Sequence, residues 1–247
     1  MGNLPLLLDI CPRIWYNTAM QTDMEGLWRT VTAGETGEKF AAFYAMLTKA
    51  NAQFNLTRIT GEEECRVKHF LDSLAGVNYF PQNADCCEVG SGAGFPSVPL
   101  LIARGDLTFT LIESSQKKCR FLEKVTKELG LRASVVCARA EEAAKGPLRE
   151  RFDICCARAV ARLNTLAEYC LPFIKKGGAF IAYKGNAAEE MEEAKGALRI
   201  LGGAVEEART FDLPQEAGRR TILVCRKISH TPPQYPRGHG KERTSPL

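Results

Sequence analysis

Apolar residues settle into a helical rhythm from Lys39 onward. Phe40, Phe43, Tyr44, Leu47 and Ala50 recur three or four positions apart, the spacing that lines one face of a helix. Asn55-Leu56-Thr57 breaks the run, and Val67, Phe70, Leu71 and Leu74 restart it, so residues 38–80 are expected to form a small helical cap. Residues 1–37 show no comparable period. With Met20 and Met24 inside them, they read as an N-terminal extension whose first two dozen residues lie upstream of the working protein.

Beyond Pro81 the rhythm becomes one of short β-rich runs separated by helical stretches, the pattern of a parallel sheet with crossover helices. Strands are expected at Asp85 to Val89, Phe109 to Glu113, Ser134 to Cys137, Ile154 to Ala157, Ala179 to Tyr183, Ala204 to Thr210 and Thr221 to Arg226. Helices are expected at Pro99 to Arg104, Gln116 to Leu129, Leu163 to Ile174 and Ala187 to Leu201, with Gly130 and Gly202 as stop signals. These elements define an α/β class: a Rossmann-like fold with a seven-stranded, mostly parallel sheet over residues 81–230, then a basic tail over 231–247. No repeat or low-complexity linker separates cap from sheet.

Composition narrows the class without naming a function. A chain of 247 residues that is 45% hydrophobic can bury a sizeable core, and a formal net charge of +4 argues only weakly for an acidic partner. The distribution is more telling. Ala187 to Glu207 is acidic, whereas the end of the chain gathers Arg219, Arg220, Arg226, Lys227, Arg237, Lys241 and Arg243, read either as a phosphate contact or as a solvated face. Among the 10 cysteines, Cys86-Cys87 and Cys155-Cys156 sit in apolar runs and would point to opposite sides of a strand. No C-x-x-C pair occurs, so a cytosolic protein with cysteines as small buried apolar groups, and no metal site, is expected. The apolar run at Leu4 to Ile10 is far too short to span a bilayer, and no membrane segment is expected.

The most informative stretch is Glu88-Val89-Gly90-Ser91-Gly92-Ala93-Gly94-Phe95-Pro96, between a strand and a helix. Glycines there let the backbone turn tightly against a ligand, and the helix start offers free N–H groups. A dinucleotide fingerprint would need glycine where Phe95 stands. Gly90, Gly92 and Gly94 with Glu88 at the strand end suit S-adenosylmethionine (SAM) better, because its ammonium group wants a nearby anion and it carries no pyrophosphate. Glu113, ending the second strand, is placed to accept hydrogen bonds from ribose hydroxyls. Ala140-Glu141 after the third strand and Arg158 after the fourth would face the same crevice.

An ordered set of motifs carries a family resemblance. Asn55-Leu56-Thr57, His69 with Asp72-Ser73-Leu74, Gly90 to Pro96, Lys117 with Phe121-Leu122, Ala140-Glu141, Arg158-Ala159-Val160-Ala161, Lys184-Gly185 and Tyr235-Pro236-Arg237 resemble the bacterial 16S rRNA guanine-N7 methyltransferases, the RsmG family, formerly GidB. The likeness runs from about Phe40 to Leu247. It departs at Ala50, where members commonly have tryptophan, and at Glu88, where many have aspartate. The resemblance implies SAM as cofactor, contacted by Gly90, Phe95, Ala140, Glu141 and Arg158. It also implies a guanine in the 530 loop of 16S rRNA as target, the rRNA or small ribosomal subunit as partner, a cytosolic monomer and no metal.

Guanine N7 carries a lone pair and no proton, so its methylation requires orientation rather than a general base. His69 and Asp72, at i and i+3 on one helix face and within reach of hydrogen-bonding each other, are therefore expected to shape the site, together with Arg158. Arg58, Lys184 and Arg237 are the expected phosphate contacts. The competing reading is a noncatalytic RNA-binding ribosome-assembly factor on a SAM-type fold; a dehydrogenase would leave Phe95 unexplained.

Overall fold

A computed structural model describes residues 23–247; Met20 and the apolar run at Leu4 to Ile10 lie outside them. The described chain opens with a helix the sequence reading passed over, α1 (Met24–Val31), capped by the Asp23 carboxylate accepting from the Gly26 amide at 2.7 Å. Met24, Leu27 and Val31 form its buried face. Met24, Leu27, Trp28 and Val31 stand at i, i+3, i+4 and i+7, a helical spacing that corrects the reading of residues 1–37 as lacking a period. The next helix, α2 (Glu35–Asn51), buries Phe40, Phe43 and Leu47 and begins ahead of the expected boundary at 38.

After the Asn55-Leu56-Thr57 elbow, α3 (Glu62–Cys65), a π-helical turn (Arg66–Leu71) and α4 (Asp72–Leu74) run on without a break. The π turn is not visible in a 3.6-residue pattern. It occurs where His69 and Asp72 must both face inward, a common place for such local widening.

The sheet contains β1 (Asp85–Val89), β2 (Thr108–Glu113), β3 (Ala133–Cys137), β4 (Phe152–Arg158), β5 (Ile174–Lys184), β6 (Gly203–Asp212) and β7 (Arg219–Lys227). Their order is β3-β2-β1-β4-β5-β7-β6. The first five are parallel, and β7 runs antiparallel to both β5 and β6. The chain thus moves outward from β1 to β3 and then returns to place β4 beside β1, with Glu88 paired to Cys156. That reversal opens a crevice at the carboxyl ends of β1 and β4, where ligands of such sheets bind.

Helices α5 (Ser97–Ala103), α6 (Gln116–Glu128), α7 (Ala140–Ala143), α8 (Leu163–Cys170) and α9 (Ala188–Leu201) complete the layers, with α10 (Lys241–Thr244) near the end of the chain. The expected helix from Leu163 to Ile174 stops early because Pro172 diverts the chain into a 3-10 turn, and Ile174 already belongs to β5. The two cysteine pairs divide as expected: Cys87 and Cys155 enter one core, Cys86 and Cys156 the other. A third apolar cluster joins the cap to the sheet domain through Phe40, Phe43 and Phe70 against Phe95, Val98 and Phe121. Each such aromatic contributes roughly 1.5–3 kcal/mol by burial, so the cap is part of the folded unit.

Candidate functional site

The glycine-rich segment leaves β1 and is tied at once to β2: the amides of Gly90 and Ser91 donate to the Ile112 carbonyl at 2.8 and 3.2 Å. Gly90 has φ +73°, and a Cβ there would lie 2.7 Å from Val160 Cγ2. Both the turn and the approach of the segment after β4 therefore require glycine. Gly94 is needed inside the protein too, since a Cβ would meet Val98 at 2.6 Å.

Two carboxylates flank this loop in different states. Glu113, buried at the tip of β2, accepts from the Gly92 amide at 3.0 Å and from the Ser115 amide at 2.8 Å. One hydrogen bond to each oxygen fixes the carboxylate and leaves further lone pairs for a ligand. Glu88 is fully buried, and neither of its oxygens has a hydrogen-bond partner. Burial pushes its carboxyl up to about 8, with the neighbouring Ser97 and the Arg158 charge pulling the other way. An orphaned buried acid is costly unless something else completes it. A cationic, ribose-bearing ligand such as SAM fits this donor set: an unmet acid for the ammonium, an oriented acid for the hydroxyls, and a loop without side-chain bulk.

Arg158, the last residue of β4, organises the wall toward the cap. Its guanidinium donates to Asp72 Oδ2 at 2.9 Å, to the Lys68 carbonyl at 3.2 Å and to His69 Nδ1 at 3.0 Å. It also lies 4.9 Å from the Phe95 ring centroid, and Phe95 stacks on His69 at 4.3 Å. His69 and Asp72 are thus joined through Arg158, and the direct bond that their spacing left within reach is not formed. Because guanidinium only donates, Nδ1 must accept, and Nε2–H faces Thr57 Oγ1 at 2.8 Å. Burial, aided by the Arg158 charge, pulls the imidazole down to about 3, so it is neutral. Thr57 is itself held by Asn51 Oδ1, which accepts from the amides of Leu56 and Thr57. Sequence reasoning found the Asn-Leu-Thr motif but not its use as the partner of His69, which depends on how the elbow folds back on the next helix, nor Arg220 lying 3.5 Å from Asp72 Oδ1, a contact between segments far apart in the chain.

Phe95 is committed to the aromatic cap cluster. Ala140 and Glu141 open α7 after β3 and are half-buried. Glu141 lines a cavity of about 290 Å³ with Arg139, Lys145, Tyr169, His239 and Arg243, so the C-terminal segment closes this side. That segment is an integral strap: Arg149 donates to the carbonyls of Thr231 and Tyr235 at 2.8 Å each.

Lys184 and Arg237, expected as phosphate contacts, each have a carboxylate partner within the protein. Lys184 is nearly buried, pairs with Glu190 at 2.6 Å and donates to the Ala161 carbonyl. Arg237 grips the fully buried Glu168 at 2.7 Å. Their charges are met inside the fold. Arg58 is exposed and makes no hydrogen bond or ion pair with described residues. Among the described residues no group of three or more His, Cys, Asp or Glu could hold a metal ion, and no helix is long and apolar enough to cross a membrane.

Fold and crevice together define the class, a Rossmann-like methyltransferase fold. Precorrin-6y C5,15-methyltransferase from Geobacter metallireducens superposes with a TM-score of 0.50 at 14% identity, covering 63% of this chain and 87% of that one. A branched-chain polyamine synthase from Thermus thermophilus gives 0.53 at 12%, covering 66% and 56%. Likeness at these identities concerns the fold alone. Sequence goes further: residues 36–218 match the GidB family, rRNA small subunit methyltransferase G. The ribosomal RNA small subunit methyltransferases G of Staphylococcus aureus strains Newman and JH9 are each 45% identical over 214 residues, 85% of this chain and 90% of theirs. The chain belongs to the rRNA small subunit methyltransferase G family and is a SAM-dependent methyltransferase.

Proposed function

We propose that this protein, a cytoplasmic monomer, methylates N7 of a guanine in the 530 loop of 16S rRNA, on the small ribosomal subunit or its rRNA. The observation that carries the choice of N7 is the polar cluster beside the glycine loop. His69 is locked neutral with Nδ1 taken by Arg158, and Asp72 is consumed in an ion pair. Neither is free to remove a proton, and N7 has none to remove.

SAM, when bound, supplies an electrophilic methyl group on a sulfonium that is already a good leaving group. The chain's own task is to hold and orient. Glu113 would take the ribose hydroxyls, Glu88 the ammonium, and the backbone from Gly90 to Gly94 would pass close to the ligand, with Ala140 and Glu141 on the adenine side. Arg158 ties the cap to the end of β4 and so fixes the wall against which the base is set. Orientation of this kind is worth roughly 7–11 kcal/mol of barrier.

Labelled SAM incubated with unmethylated small subunits and with naked 16S rRNA, followed by mass-spectrometric mapping, tests the reading. Label on N7 of a 530-loop guanine is the expected result. Label on another atom or another loop, or RNA binding without transfer, overturns it.

A further inference from the structure

Cations on this protein differ in how far their charge is met by the fold. Four on and around the C-terminal side are matched: Lys184 with Glu190, Arg237 with Glu168, Arg226 with Glu206 and Arg162 with Glu193, all within 2.7 Å. The α9 surface there is acidic, with Glu189, Glu190, Glu192 and Glu193. The α6 surface is different. Lys117, Arg120, Lys124 and Lys127 stand at i, i+3, i+7 and i+10, a spacing that puts all four on one stripe. Lys117, Arg120 and Lys127 are exposed and have no ion-pair or hydrogen-bond partner among the described residues, while Lys124 is 3.6 Å from Glu128. The opposite face of α6 is occupied, burying Cys119, Phe121, Leu122, Val125 and Thr126.

The stripe starts beside the candidate donor site. Ser115, the residue before α6, donates to Glu113, and Lys117 follows two positions later. The inner face of α6 shares its apolar cluster with Leu56 and Ile59 of the cap elbow, which carries the exposed Arg58. At 1.5 Å rise per residue the stripe extends roughly 15 Å, enough for several phosphates of one strand, whose charges recur about every 3.4 Å of duplex axis.

We propose that the outer face of α6, continued by Arg58 on the cap elbow, is the docking surface for the phosphodiester backbone of the substrate RNA. The strand lies along α6 and leads the target base into the crevice at β1 and β4. Phosphate contacts set register without reading sequence, which suits a stripe of evenly spaced cations; Gln116, Glu123 and Glu128 are also exposed on α6. This assignment rests on the RNA substrate proposed above.

The test is the triple variant K117Q/R120Q/K127Q beside a control with equal charge loss elsewhere, R29Q/K176Q/R199Q, whose three cations are also exposed and have no ion-pair partner among the described residues. Binding to 16S rRNA is measured across a salt series, with SAM affinity by calorimetry as the check on folding. The α6 variant should show a log–log salt slope shallower by about 2, from roughly 0.7–0.9 per lost phosphate contact. Its KM for small subunits should rise about tenfold or more, with SAM affinity and kcat at saturation unchanged, while the control behaves as wild type. A wild-type slope in the α6 variant, or an equal loss in the control, overturns the docking surface alone. If the wild-type protein binds RNA with a slope that the α6 variant loses yet transfers no methyl group, the docking surface stands and the proposed activity falls. A wild-type protein with no RNA affinity overturns both.

Discussion

Arg158 donates a hydrogen bond to Nδ1 of His69 at 3.0 Å, and this bond decides what the histidine can do. It fixes the tautomer, places Nε2–H on Thr57 and sets a permanent cation beside the ring. The imidazole, held at about 3 against an ordinary 6.5, should show no chemical-shift titration between pH 5 and 8 by NMR. Between pH 6.5 and 3 the unfolded chain binds a proton that the folded ring refuses, so this residue's contribution to stability falls as pH drops below 6.5. A ring titrating near 6.5 in the folded protein would contradict this.

Removing Arg158 would strand Asp72, which is 4% exposed. Loss of one member of a buried ion pair costs about 3–5 kcal/mol; with Arg220 still 3.5 Å away, Arg158→Ala should fall at the lower end. Urea denaturation measures it, and a loss below about 1 kcal/mol would show that Asp72 is not held as described.

Gly90→Ala tests the loop. The positive φ costs about 1–2 kcal/mol for any L-residue, and the contact at 2.7 Å with Val160 adds to it. Adding Val160→Ala should restore the collision part and leave the φ part. A double-mutant cycle by thermal unfolding separates them; strict additivity would mean the two residues do not collide.

Glu113→Gln replaces one acceptor oxygen with a donor amide. SAM affinity should fall about tenfold, the equivalent of one charge-assisted bond at roughly 1.5 kcal/mol, with RNA affinity unchanged. Calorimetry giving equal SAM affinities would remove Glu113 from the site.

Glu88 gives a pH signature. Pushed up to about 8, it is mostly protonated at pH 7, and a bound ammonium would drive that proton off. SAM affinity should therefore rise from pH 6 to 8 and level off above, with proton release visible as buffer-dependent binding heats, and Glu88→Gln should abolish both. In the free protein the sign is opposite: the fold keeps a proton between pH 4.5 and 8 that the unfolded chain has lost, so this contribution to stability is present below 4.5 and disappears as pH rises to 8. Binding heats independent of buffer would exclude Glu88 as the ammonium's partner.

Much of this architecture was legible along the chain because its signals are local. Strand β1 begins and ends as expected, Gly202 caps α9 with φ +81°, and the acid at each strand tip is fixed by counting from the glycine loop. Helix α1 carries its apolar pattern over only eight residues, Met24 to Val31, and the π turn departs from the 3.6-residue period, so neither stands out along the chain as the longer helices do. Sequence also grouped His69, Asp72 and Arg158 as shapers of one site but did not give the bonds that run through Arg158. Which groups meet within 3 Å depends on how the cap seats on β4, and no spacing encodes that.

The sequence by itself determined the order of elements, the glycine turn and the carboxylates at the strand tips, because each depends on a residue's neighbours in the chain. Tertiary structure alone decided which charges are free. Lys184 and Arg237 look as available as Lys117 or Arg58 in a string of letters; packing brought Glu190 and Glu168 to the first pair and, among the described residues, nothing to the second. An ion's partner is a matter of distance in space, and its field reaches a ligand only where the fold has left it unmet.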